Sequence, residues 1–396
     1  MTVFGRALAR GESSESCDTA RNGAFELVLA TPIIISPDTS HWAKWIDAAT
    51  GEEPRRRERA QALHHRLMER GRIPLLSWHH LEELLGVGDH AAAIARIRFL
   101  QDLPLLGWLQ LPNQVGPGAV TQILAAEAIA ACEGAGNLVS VRDRARELLL
   151  RTGPGRRVID SPEWVWEALR AALLSRRSSA DLTSALGKLQ TFDENQTIGE
   201  FAKAEVNSPQ AMNAKLQTIY AHALGTALEA TGGDDRRARS MADEFIRRVV
   251  QGLPAPGTTV RDLLVSRLVA QGLDEHEIQD SRLLAELTRL GVFRSQLRVV
   301  AAETGRSFTE LKRVPMEVLP SWVIAEALRT HGQHRAKRPG SDLNDVHLGV
   351  LAAYCSVLYV DRRTAEDFRR AQAKEPRLAV LLGCIAKGAD FDALLA

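Results

Sequence analysis

What most constrains this chain is a set of short apolar runs that stop on acids. Ile33-Ile34-Ile35-Ser36-Pro37 ends at Asp38, and Cys355 to Val360 ends at Asp361. A third run, Ile73-Pro74-Leu75-Leu76-Ser77, opens into a helical pattern that carries Glu82 and Glu83. Apolar runs of this kind, bounded by turn residues and separated by helical patterns, suit strands buried on both faces of a parallel sheet. The expected class is therefore α/β, a three-layer core with a mainly parallel sheet. In such sheets ligands bind outside the carboxyl ends of the strands. Acids gathered there fit a metal cage better than surface decoration, because hard divalent cations prefer carboxylate and water oxygens.

Local patterns place these acids on elements. Asp38 precedes His41-Trp42-Ala43-Lys44-Trp45-Ile46, so the role of helix N-cap competes with that of ligand. Gly51 to Arg59 reads as a charged link and Ala60 to Arg70 as an amphipathic helix with His64 and His65 on its surface. Trp78 to Leu85 reads as a helix with Leu81, Leu84 and Leu85 on its apolar face, which sends Glu82 and Glu83 to different sides. Gly86-Val87-Gly88-Asp89-His90-Ala91 has dinucleotide-fingerprint spacing but follows a helix, where that fingerprint must follow a strand; it is a helix stop and restart. Leu105 to Gln110 is another short strand. Further on, Asp342 to Asp345 starts a helix, and Leu348 to Tyr354 continues it inward. His347 is read there as a satisfied histidine, and Thr364 to Gln372 as a further helix.

A chain of 396 residues, 45% hydrophobic and 25% charged, can bury a sizeable core and hold two or three structural units. A net charge of +1 neither selects nor excludes a polyanion, since local fields govern that attraction. Four well-separated cysteines, Cys17, Cys132, Cys355 and Cys384, without metal-type spacing, imply a cytoplasmic setting with no disulfide framework or zinc finger. No run approaches the roughly 20 apolar residues of a membrane span, so no membrane partner is expected. Residues 1–22 read as a flexible polar arm, 23–112 as the first part of the core, and 315–396 as its second part. Between them, 113–314 reads as successive helices, an all-α insertion or cap suited to a protein partner. Its arginine pairs, such as Arg236-Arg237 and Arg247-Arg248, are read as solvated faces.

Three pieces in order carry a likeness to a known family: Ile34-Ile35-Ser36-Pro37-Asp38-Thr39-Ser40, Ser77 to Leu84 after a strand, and Asn344-Asp345-Val346-His347 ahead of Asp361. Together they resemble the PIN-like nuclease superfamily, over the two parts of the core and not over the helical block. The resemblance implies a metal-dependent phosphodiesterase, an endoribonuclease, with Mg²⁺ or Mn²⁺ held by Asp38, Glu83, Asp345 and Asp361. Asp342 stands as the alternative to Asp345, since either can be the helix cap and the other the ligand. Tyr359 departs from the pattern, because many members have Thr or Ser two residues before the last acid. Two other functions share the same core: an inactive scaffold that binds nucleic acid or protein, and a DNA-directed nuclease. Arg335, Lys337 and Arg338, in the loop before Asp342, are candidate contacts to an RNA backbone, which supplies sequence-independent affinity.

Overall fold

The computed structural model describes residues 32–112, 114–174, 192–203, 209–251, 259–333 and 341–396; the side chains at 203, 209–211 and 341–345 lie outside that description. The polar arm expected over 1–22 and the basic loop with Arg335, Lys337 and Arg338 also lie outside the described residues.

Six strands form one sheet: β1 (Ile33–Pro37), β2 (Arg72–Leu76), β3 (Leu106–Leu109), β4 (Leu150–Gly153), β5 (Val357–Val360) and β6 (Cys384–Lys387). Their order is β4-β3-β2-β1-β5-β6. Every neighbouring pair is parallel except β3 with β4. From β1 the chain winds outward through β2 and β3, then returns to the other side of β1 for β5 and β6. The order thus reverses between β1 and β5, and at such a switch point the adjoining connections leave on opposite faces and open a crevice.

The central place of β1 explains its unbroken apolar run. Ile34, with Ile73 and Leu75, joins a core built with helices Val120–Cys132, Leu138–Leu149, Leu284–Thr304, Pro320–His331 and Arg362–Lys374. Ile35, with Leu76 and Trp108, joins a second core with helices Thr39–Thr50, Pro54–Glu69, Trp78–Leu85 and His90–Asp102. Helices therefore cover both faces, and each fully buried isoleucine contributes roughly 1.5–3 kcal/mol. Phe391 and Leu394, near the described C-terminal end, close the second core.

Several local readings are corrected. The segment read as a charged link is helical from Pro54, because proline in the first helical turn forfeits no intrahelical hydrogen bond. His64 is buried, with Nε2 2.8 Å from the Leu105 carbonyl, while its neighbour His65 is exposed. The block expected to be all-α also supplies β4, whose Leu150-Arg151-Thr152-Gly153 has no strand pattern of its own; pairing with β3 from Leu106↔Gly153 to Leu109↔Leu150 decides its conformation. The helices Val120–Cys132 and Leu138–Leu149 of the same block belong to the layer on the sheet. Leu284–Thr304 then bridges to a smaller core around Ile198, Val260, Leu264 and Leu268. Among the described residues no helix is long and apolar enough to cross a membrane.

Candidate metal centre at the switch point

Asp38 and Asp361 end the two strands that flank the reversal in strand order. Register sets them side by side: Pro37 lies opposite Tyr359, and the Asp38 N–H donates to the Tyr359 carbonyl at 2.9 Å. Both acids occupy N-cap positions, of helices Thr39–Thr50 and Arg362–Lys374, but they use their carboxylates differently. Asp361 accepts from the Thr364 N–H at 2.6 Å, an ordinary cap. Asp38 makes no cap bond of that geometry: its carboxylate accepts from the Ser40 hydroxyl at 3.2 Å, and the Ser40 N–H lies close enough to favour its charged form. Burial raises the Asp38 carboxyl above its usual range, the negative charge of Asp361 adds to the rise, and His41 and Ser40 oppose it. A half-buried carboxylate close enough to feel a second acid has oxygen lone pairs with which a cation can be held.

Further polar groups surround this edge. On the β2 side, the Trp78–Leu85 helix is capped by Ser77, whose N–H donates to His80 Nδ1 at 3.0 Å. His79 Nδ1 lies 3.0 Å from Glu82 Oε2, and the His79 ring stands 4.8 Å from the His347 ring. That contact packs helix Ser341–Val350 against Trp78–Leu85, the helix that follows β2. His347 is not the satisfied histidine expected: its Nδ1 has no hydrogen-bond partner, and burial pushes its pKa down to about 4. His41 is buried beside Gly388, where an added Cβ would lie 2.6 Å from His41 Nε2, so only glycine lets the ring approach. Burial also lowers the pKa of His41, with Asp38 pulling it back up. Ser36 Oγ, Thr39 Oγ1, both ring nitrogens of His41 and Trp42 Nε1 are buried without hydrogen-bond partners. Such groups normally find partners, and several of them lie close in sequence around Asp38.

Of the expected ligands, the fold brings Asp38 and Asp361 together. Glu83 sits on the Trp78–Leu85 helix, half-buried and engaged in an interaction of its own. Asp342 and Asp345 lie on Ser341–Val350, and their side chains are outside the described residues. Among the described residues no three or more His, Cys, Asp or Glu side chains form a group able to hold a metal ion. The two described carboxylates still fit a hard divalent cation, which is often held by one or two carboxylates with the remaining positions left to water and phosphate.

The acid most completely enclosed was passed over in the sequence. Glu127, on Val120–Cys132, is fully buried and accepts from Ser321 N at 2.9 Å, Ser321 Oγ at 2.6 Å and Tyr354 OH at 2.5 Å. Burial raises its pKa to about 7 against the pull of those donors. It anchors the N-terminus of helix Pro320–His331 to the neighbouring layer, a structural role. Its signal was a single charge inside the apolar stretch Ala125-Ala126-Glu127-Ala128.

Fold and site together define an α/β protein with an acidic pair at the switch point of a mainly parallel sheet. No protein-family model, no curated protein and no solved structure matches the chain.

Proposed function

We propose that this protein is a PIN-like, metal-dependent phosphodiesterase that cuts RNA at the β1–β5 crevice. The observation that carries the reading is the meeting of Asp38 and Asp361 at the switch point, with the Asp38 carboxylate unused for capping. In this reading Asp38 and Asp361 hold Mg²⁺ or Mn²⁺, and Asp345, or Asp342 in its place, with Glu83, completes the set. The ion supplies Lewis acidity that neutralises phosphate charge and acidifies an attacking water. Asp38 and Asp361 fix where that chemistry occurs. The RNA backbone is assigned to Arg335, Lys337 and Arg338. The chain enters that loop from Gln333, whose N–H donates to Asp367 Oδ1 at 2.8 Å on the helix that Asp361 caps. Gln333, the last described residue before that segment, is thus tied to the helix that follows β5.

One observation favours a second reading, a non-catalytic scaffold: only two of the four expected acids come together among the described residues. Cleavage separates the two. Labelled single-stranded RNA incubated with the full chain and Mg²⁺ or Mn²⁺ should be cut, the cutting should stop in EDTA, and Asp38→Asn and Asp361→Asn should each lose nearly all of it. Cleavage that persists in EDTA, or in both variants, excludes the metal reading, and matched single-stranded DNA tests the DNA-directed alternative.

A further inference from the structure

We propose that Gly388 is a positioning residue for the acid pair: its bare backbone lies between the peptide that leads into Asp361 and the helix turn that Asp38 opens, and the absence of a side chain sets how closely these approach. The proposal rests on the nuclease reading only for its purpose, since the packing belongs to the metal-free protein. Gly388 follows β6, and its N–H donates to the Val360 carbonyl at 3.2 Å, so it meets the peptide unit that also contains the Asp361 nitrogen. On its other side stands His41, whose own N–H donates to the Asp38 carbonyl at 2.9 Å in the first turn of Thr39–Thr50. A Cβ added at 388 would lie 2.6 Å from His41 Nε2 and 2.8 Å from the Ala393 Cβ, both closer than side chains approach in folded proteins.

Space, not conformation, calls for glycine here. The φ of Gly388 is not positive, so its backbone suits other residues as well. The His41 ring has little freedom to step aside: it is 1% exposed, and the ring of Tyr359 on β5 meets it edge-on with 6.3 Å between centroids. The chain beyond Gly388 is held too, because Lys44, further along the helix that Asp38 opens, donates to the Ala389 carbonyl and Phe391 is buried in the second core. Overpacked interiors relieve such contacts by moving backbone. A methyl group at 388 must therefore shift the turn that bears Asp38 relative to the end of β5, and with it the spacing of the two carboxylates.

Hydrogen exchange of the Asp38 amide, which bonds to the Tyr359 carbonyl across β1 and β5, reads this junction in the metal-free full chain, with the other β1 amides as reference. Gly388→Ala should quicken Asp38 exchange roughly 10-fold or more over that reference. Adding His41→Ala should bring it back to within about 3-fold of His41→Ala alone, while adding Ala393→Gly, which frees only the contact away from Asp38, should not. Mn²⁺ affinity should follow the same order, weakened roughly 10-fold by Gly388→Ala and regained, relative to His41→Ala, when the two changes are combined. A glycine needed only for folding would loosen all β1 amides alike, with no dependence on His41. Unchanged Asp38 exchange in a folded Gly388→Ala, uniform loosening of β1, or no recovery with His41→Ala overturns the proposal. Should Gly388→Ala not fold, the variant that also carries His41→Ala and Ala393→Gly should, and its failure to fold overturns the proposal too. Exchange in the expected order in a protein that binds no Mn²⁺ overturns the nuclease reading and leaves the role of Gly388 standing.

Discussion

Glu127 and Asp38 are both carboxylates whose pKa is raised first by burial, yet the protein treats them in opposite ways. Glu127 is enclosed completely and meets a backbone N–H and two hydroxyls. Asp38 stands half-buried at a strand end, met by Ser40 two residues on and by the charges of His41 and a second acid. A satisfied buried acid holds elements together, and its removal strands its donors. An acid that is desolvated but left short of partners destabilises the empty protein and retains capacity for a ligand. The same shift in pKa therefore signals a structural joint in one place and a candidate site in the other.

The largest expected effect follows from removing the satisfied acid. Glu127→Ala leaves the Ser321 N–H, the Ser321 hydroxyl and the Tyr354 hydroxyl buried without an acceptor, which should cost ~3 kcal/mol or more. Urea unfolding of the full chain measures it, and a loss under about 1 kcal/mol would remove Glu127 from its structural role.

Next in size is the pH dependence of the same group. Its folded pKa of about 7 lies above the ordinary 4.5, so the fold favours the protonated form. Stability from this group is fully present below pH ~4.5 and is lost as pH rises through about 7, ~3 kcal/mol in all. Glu127→Gln should flatten that part of the stability profile, and a slope equal to the parent's assigns the linkage elsewhere.

The smallest effect belongs to the open acid. Asp38→Asn removes a desolvated charge that repels Asp361, so the metal-free protein should keep its stability or gain up to ~1 kcal/mol. A loss comparable to that of Glu127→Ala would erase the contrast between the two acids.

What the sequence made legible is local. The helix Trp78–Leu85 was readable from its apolar spacing, and Val260–Gln271 from its period and the glycine that follows. The approach of Asp38 to Asp361 was readable in outline because parallel strands deliver their carboxyl ends to one edge. What escaped was decided by distant partners. β4 is a strand because β3 offers it an edge, and His64 is buried because the Leu105 carbonyl, 41 positions away, meets its ring. Glu127 finds its donors 194 and 227 positions along the chain, beyond any window in which periodicity can be read.

Mn²⁺ titration of the metal-free full chain, followed by calorimetry, tests the assignment of the switch-point acids most directly, with Glu127→Gln as the control. The parent and Glu127→Gln should bind alike, while Asp38→Asn and Asp361→Asn should each weaken binding ~10-fold or more, since even outer-shell losses at metal sites reach that size. Equal Mn²⁺ affinity in the parent, Asp38→Asn and Asp361→Asn would contradict the account.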